Sequence, residues 1–138
     1  MWNPFARSYG GWYLNVVSER LCLLIGNTRW HWAEEEDEKW VFVHTPPDSK
    51  KFLRLKDRLF AWASVGPVPK EISVTNQNKL RLENIPIPCM PSWLGIDRAL
   101  AAWGALRRAQ TELINYEGIL LADAGTVLSL TRLNSFRE

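Results

Sequence analysis

The 138-residue sequence predicts an α/β fold in which a mixed β-sheet is flanked by helices. Three observations carry that expectation. Three β-type runs follow one another between residues 21 and 45, a helix signal then leads into a further apolar strand, and residues 96–110 space their apolar side chains at close to a 3.6-residue period. With 46% hydrophobic residues, a chain of this length is one domain of ordinary size that can fill a real core.

Residues 1–20 hold a Gly10-Gly11 break and the run WYLNVV, and are set apart as an N-terminal extension without an assigned role. LCLLI, residues 21–25, is continuously apolar, as suits a strand buried on both faces. RWHWA returns with alternation after Gly26-Asn27-Thr28. A hairpin asks only for a short loop with positive φ; this one combines small size, backbone N–H groups and a hydroxyl, the makings of a phosphate cradle. KWVFVHT at 39–45 completes an antiparallel meander. Between the last two runs lie five consecutive acids, Glu34 to Glu38, which repel one another and stay in water, so a hairpin-tip loop is expected there rather than a metal site.

Pro46-Pro47 breaks the chain, and Asp48 caps a helix expected to run through about Leu59. LFAWASV is then a buried fourth strand stopped by Gly66-Pro67, and a strand following a helix implies a βαβ-type return. Prolines at 69, 86, 88 and 91 divide the next segment into ordered loop with short β-type pieces at EISVT and LRLENI. The helix at 96–110 carries Ile96, Leu100, Trp103 and Leu106 on its stripe, with Asp97 at the front and Arg107-Arg108 at the back, as the helix dipole favours. GILLADAG and TVLSLTRL then repeat the opening pattern of strand, small polar turn and strand. Two such hairpins are what would hold the two ends of a triphosphate; the plain alternative is a shared turn composition.

Composition excludes several classes. Seventeen Lys and Arg against 15 acids give a net charge of +2, too small and too scattered to point to nucleic acid or a membrane surface. Cys22 and Cys89 form no C-x-x-C or Cys/His cluster and are expected to be reduced core thiols. The N-terminal stretch lacks a signal-peptide pattern, and no run approaches the roughly 20 apolar residues of a membrane span, so a cytoplasmic protein is expected. The eight tryptophans sit on strand and helix patterns and read as packing or interface residues. His31 and His44 lie on strands with no carboxylate or nucleophile beside them in sequence, which gives them structural or surface roles.

IGNTR, WASVGP, LGIDR and DAGT occur in that order, and together they resemble the motif set of the bacterial type III pantothenate kinases over residues 21–133 or so. The resemblance implies the fold of the sugar kinase, heat-shock ATPase and actin superfamily, two ribonuclease-H-like halves with the nucleotide between them. Residues 21–117 would form the first half and 118–138 the opening hairpin of the second. It implies transfer of the ATP γ-phosphoryl group to pantothenate, the first step towards coenzyme A. Asp97 then resembles the catalytic base, Gly95, Ile96, Asp97 and Arg98 the pantothenate contact, with Arg98 on its carboxylate. Gly26, Asn27, Thr28 and Arg29 resemble the first phosphate loop, and Gly125 and Thr126 the second. Asp123 resembles the ligand of a monovalent cation, K+ or NH4+, with Mg2+ arriving on the ATP phosphates. A homodimer is implied, with Trp93 and Trp103 finding cover there. Read from the residues alone, Asp97 is as readily an N-cap and Arg98 a surface cation.

The sequence departs from the family pattern where Leu24 replaces the usual Asp before the first glycine, where a Tyr is missing ahead of LGIDR, and where Ser129 replaces a Thr. Family members run to roughly twice this length. A truncated or partial form is therefore expected, with doubtful activity as an isolated chain. The alternative is a catalytically degenerate ligand-binding or regulatory module of the same fold, and a further one is another kinase of the superfamily acting on a different hydroxyl.

Overall fold

A computed structural model describes residues 20–70, 78–113, 115, 117–125 and 127–134. Strands β1 (Leu21–Ile25), β2 (Trp30–Glu36) and β3 (Lys39–Thr45) precede helix α1 (Ser49–Leu55), whose end tightens into a 3-10 turn at Lys56–Arg58 before β4 (Leu59–Ser64). A second 3-10 turn, Leu82–Asn84, leads to helix α2 (Ile96–Thr111), followed by β5 (Gly118–Ala124) and β6 (Leu128–Asn134). The fold is α/β, as expected.

Four strands form a mixed sheet in the order β3-β2-β1-β4. β1 and β2 pair antiparallel, as do β2 and β3, which is the expected meander, while β4 returns parallel to β1 after the α1 crossover. β5 and β6 form a separate antiparallel ribbon.

The period-two geometry of the strands sorts the core. Leu21, Leu23 and Ile25 of β1 are buried on one face, joined by Trp30 and Trp32 of β2 and by Leu59 and Trp62 of β4. α1 drops Phe52, fully buried, into their midst. Its ring meets Trp62 edge-on at 5.6 Å and Trp30 at 6.4 Å, the T-shaped arrangement that aromatic quadrupoles favour. Asp48 caps α1 as expected: its Oδ1 accepts the Lys51 N–H at 2.9 Å. On the opposite face of β4, Ala63 is buried too. α2 contacts β4, β5 and β6, and so joins the sheet to the ribbon.

Several expectations need correction. The deep line of α2 is Ala99, Ala102 and Ala109, whereas Ile96, Leu100, Trp103 and Leu106 are only half-buried. Alanines let the helix backbone approach its neighbours closely, and the larger side chains flank that seam. The acidic run is not a loop: Glu34–Glu36 extend β2, and the turn is only Asp37-Glu38, both at positive φ (47° and 63°), the two-residue arrangement that matches strand twist. Cations make this tolerable. Arg20 grips both oxygens of Glu35 at 2.6 Å, which holds that carboxyl below its ordinary range, and Arg58 donates to Glu34 at 3.0 Å.

LRLENI is no strand. Leu82–Asn84 forms a 3-10 turn in which Asn84 Oδ1 accepts the Arg81 N–H at 2.8 Å, and the prolines beyond it cannot donate to a ladder. The helix after Asp48 stops at Leu55 rather than near Leu59, which already belongs to β4. EISVT and residues 1–19 lie outside the described residues. Cys22 is half-buried, with burial pushing its thiol pKa up, but Cys89 is exposed on a loop and is not a core thiol. No helix among the described residues is long and apolar enough to cross a membrane.

Phe52 ties α1 to three strands, so Phe52→Ala is expected to cost about 3–5 kcal/mol. Urea unfolding followed by circular dichroism measures that loss, and a value under about 1 kcal/mol would show that the core closes without it.

Candidate functional site

The loop between β1 and β2 is closed by its glycine. Gly26 donates its N–H to the Arg29 carbonyl at 3.0 Å, and a Cβ on Gly26 would stand only 2.7 Å from that oxygen. Close approach therefore demands glycine. The Gly26 amide is consequently spent within the loop and is not free for an anion, contrary to the cradle read from sequence. Asn27 and Thr28 are exposed, and among the described residues their amides have no partner.

The Asn27 side chain lies against Gly66, where any Cβ would collide with its Oδ1. Val65 donates its N–H to the Ile25 carbonyl at 2.9 Å, and Ser64 Oγ donates to the Gly66 carbonyl at 2.7 Å. IGNTR and WASVGP thus form one corner at the carboxyl ends of the parallel strands β1 and β4. In α/β sheets ligands gather at that end.

Burial lowers the His31 pKa from its ordinary 6.5, electrostatic interaction with His44 and Arg29 lowers it further, and the Asp123 carboxylate on β5 acts to raise it. Asp123 is therefore within electrostatic reach of β2. Gly125 donates its N–H to the Val127 carbonyl at 3.3 Å, and nothing crowds its Cα. Thr126 lies outside the described residues.

At the start of α2 the N-cap is Gly95, which has no side chain to cap with. Asp97 is therefore not the N-cap; its carboxylate folds back over Gly95, where a Cβ would stand 2.5 Å from Oδ1. That placement holds the half-buried carboxylate against the positive end of the helix. One turn of helix presents Ile96, Asp97 and Arg98 together.

A cavity of about 450 Å³ opens between the 87–94 loop, α2 and β6. Met90, Trp93, Leu94 and Leu130 contribute apolar walls, and Arg98 and Arg132 also line it. Of the four residues Gly95 to Arg98, only Arg98 reaches this lining, and none of the two glycine loops does.

Sequence reasoning missed one pair. His31 and His44 are cross-strand partners whose Nδ1 atoms approach to 2.7 Å, so one neutral ring accepts from the other. Counting outward from a two-residue turn at Asp37-Glu38 would have paired them; the longer loop assumed there hid the register. Leu24, where a carboxylate was missing, is the β1 partner of His31 and of Ala63 on β4. Among the described residues no three His, Cys, Asp or Glu side chains cluster to hold a metal ion.

Over 88% of its length the chain is 41% identical to a type III pantothenate kinase of Thermosynechococcus vestitus, of which it covers 47%. It is 34% identical over 80% of its length to a type III pantothenate kinase of a Synechocystis strain, covering 43% of it, and 31% identical over 80% to one of Synechococcus elongatus, covering 49%. These relatives bear out the resemblance read from the motifs, and the chain spans about half the length of the relatives it matches. No family model matches the chain, and no solved structure matches it significantly.

Because the folded His31 binds a proton less readily than the unfolded chain does, stability present above about pH 6.5 is expected to fall as the pH drops below it. A nuclear magnetic resonance titration should place the His31 pKa below 6.5, and Asp123→Asn should move it lower still. An unmoved His31 would mean that β5 does not approach β2.

Proposed function

We propose that the chain carries the pantothenate-binding and first phosphate-binding elements of a kinase that transfers the ATP γ-phosphoryl group to pantothenate. The observation that carries this reading is the cavity lined by Arg98 at the start of α2. It takes a cation from the one motif that the resemblance ties to pantothenate, and it surrounds that cation with apolar walls suited to a branched aliphatic acid.

Each residue then has a task in this reading. Arg98 offers a planar, permanently charged fork to the acceptor's carboxylate. Asp97 accepts the proton of the primary hydroxyl as oxygen attacks the γ-phosphorus and the bond to ADP breaks. The exposed amides of Asn27 and Thr28 face phosphate oxygens from the corner at β1 and β4, with Arg29 beside them, and Gly125 and Thr126 supply the second loop. Mg2+ bound to ATP neutralises phosphate charge. A lone carboxylate at Asp123 fits K+ or NH4+ completed by carbonyls, phosphate and water better than an all-protein magnesium cage, which would need more acids.

The strand order β3-β2-β1-β4, a meander followed by a parallel return, supports a ribonuclease-H-like half over 21–117 with residues 118–138 opening a second. Action in the cytoplasm and a homodimer covering Trp93, which is 77% exposed, belong to the same reading. Trp103 asks less of such an interface, since it is half-buried within the chain.

Leu24 favours a second reading, an acid-binding module without transfer, because a leucine cannot accept a hydrogen bond or organise a metal. Calorimetry separates the two: magnesium-dependent ATP binding supports the kinase, and pantothenate binding with no response to ATP supports the module. In the kinase, Asp97→Asn is expected to bind pantothenate near the original affinity while transfer falls about 10²- to 10⁴-fold. Undiminished transfer in a coupled assay would remove Asp97 from the base role.

A further inference from the structure

The cavity beside α2 holds more positive charge than one carboxylate-binding arginine explains. Arg98 comes from the first turn of α2 and Arg132 from β6, and no carboxylate lines the space between them. Four arginines elsewhere are ion-paired, Arg20 with Glu35, Arg58 with Glu34, Arg81 with Glu83 and Arg108 with Glu112, whereas Arg29, Arg54 and Arg107 show no ion pair among the described residues. Among the described residues the side chains of Arg98 and Arg132 have no such partner.

Both arginines are exposed, and neither gains from the element that carries it. A cation in the first turn of a helix faces the positive end of its dipole. Arg132 sits on a ribbon face it shares with exposed Leu120 and Leu130, and its cross-strand partner is Leu120. Two like charges bordering one concavity with low-dielectric walls focus a positive potential into it. A carboxylate resolves the conflict, because its two oxygens offer about four lone-pair directions and can accept from two guanidinium forks at once.

We propose that Arg132 is a second binding residue for the carboxylate of the acceptor, set across the cavity from Arg98, so that the site selects an aliphatic carboxylic acid over the neutral amide of the same body. The inference rests on the reading of this cavity as the acceptor site, and it goes beyond the motif resemblance, which reaches Arg98 alone. The apolar wall of Met90, Trp93 and Leu94 holds either ligand equally; the charge discrimination belongs to the two arginines.

Calorimetric titration of the 138-residue chain with pantothenate and with its primary amide tests this. Arg132→Leu is expected to weaken pantothenate about tenfold and leave the amide unchanged, collapsing the preference for the acid; Arg98→Leu is expected to do the same or more. Circular dichroism checks folding, and Arg132→Gln gives the same reading should the leucine variant unfold. If Arg132→Leu binds pantothenate as before while Arg98→Leu does not, Arg132 has no such role and the acceptor site stands. Equal losses for acid and amide mean that Arg132 only supports the wall, which also overturns the proposal. If neither variant changes binding, or the unaltered chain does not bind pantothenate, the acceptor-site reading falls together with it.

Discussion

β1 is the constraint on which the rest depends. It is the one strand of the four-stranded sheet paired antiparallel on one side and parallel on the other, and its buried side chains meet Trp32, Trp62 and Phe52 in a single aromatic core. A parallel neighbour requires a crossover, so the pairing of β1 with β4 dictates that α1 lie across one face. The same pairing sets the ends of β1 and β4 side by side. The corner built by Asn27 against Gly66 is a consequence of that alignment, and its two glycine positions exist because backbone and side chain must pass where a Cβ would stand.

The chemistry of the region follows from what is missing as much as from what is present. A helix whose N-cap is glycine leaves its first amides to other groups, and Asp97 folds back to meet that end. The next residue, Arg98, is exposed and lines the largely apolar cavity. A carboxylate and a guanidinium on successive residues of one helical turn are the pair that the proposed transfer to a hydroxy acid would use.

Local signals were readable and non-local ones were not. The meander, the cap at Asp48 and the extent of α2 each follow from periodicity or a single capping residue, and they stand as expected. The buried seam of α2 was misread because Ala99, Ala102 and Ala109 carry almost no hydropathy signal; their burial comes from how closely the ribbon and β4 approach. The His31–His44 pair was hidden by an error of three residues in the length of one turn, since register propagates along every pair of a ladder. The corner between residues 27 and 66, and a cavity walled by a loop, a helix and β6, join segments that share no local pattern. The motifs marked these segments, and only packing shows which atoms meet.

The acidic stretch at the tip of β2 has one more consequence. β3 is an edge strand, and Trp40, Val41, Phe42 and Val43 all stand at least 39% exposed along it, the profile of a segment prone to stack on copies of itself. Glu34, Glu35 and Glu36 are the register partners of Val41, Trp40 and Lys39, with Asp37 and Glu38 closing the tip. With Glu34 and Glu35 held by Arg58 and Arg20, the remaining charges of Glu36, Asp37 and Glu38 flank this exposed edge strand as gatekeepers. Acids at the tip of an apolar edge strand oppose the stacking that its exposed face would otherwise invite.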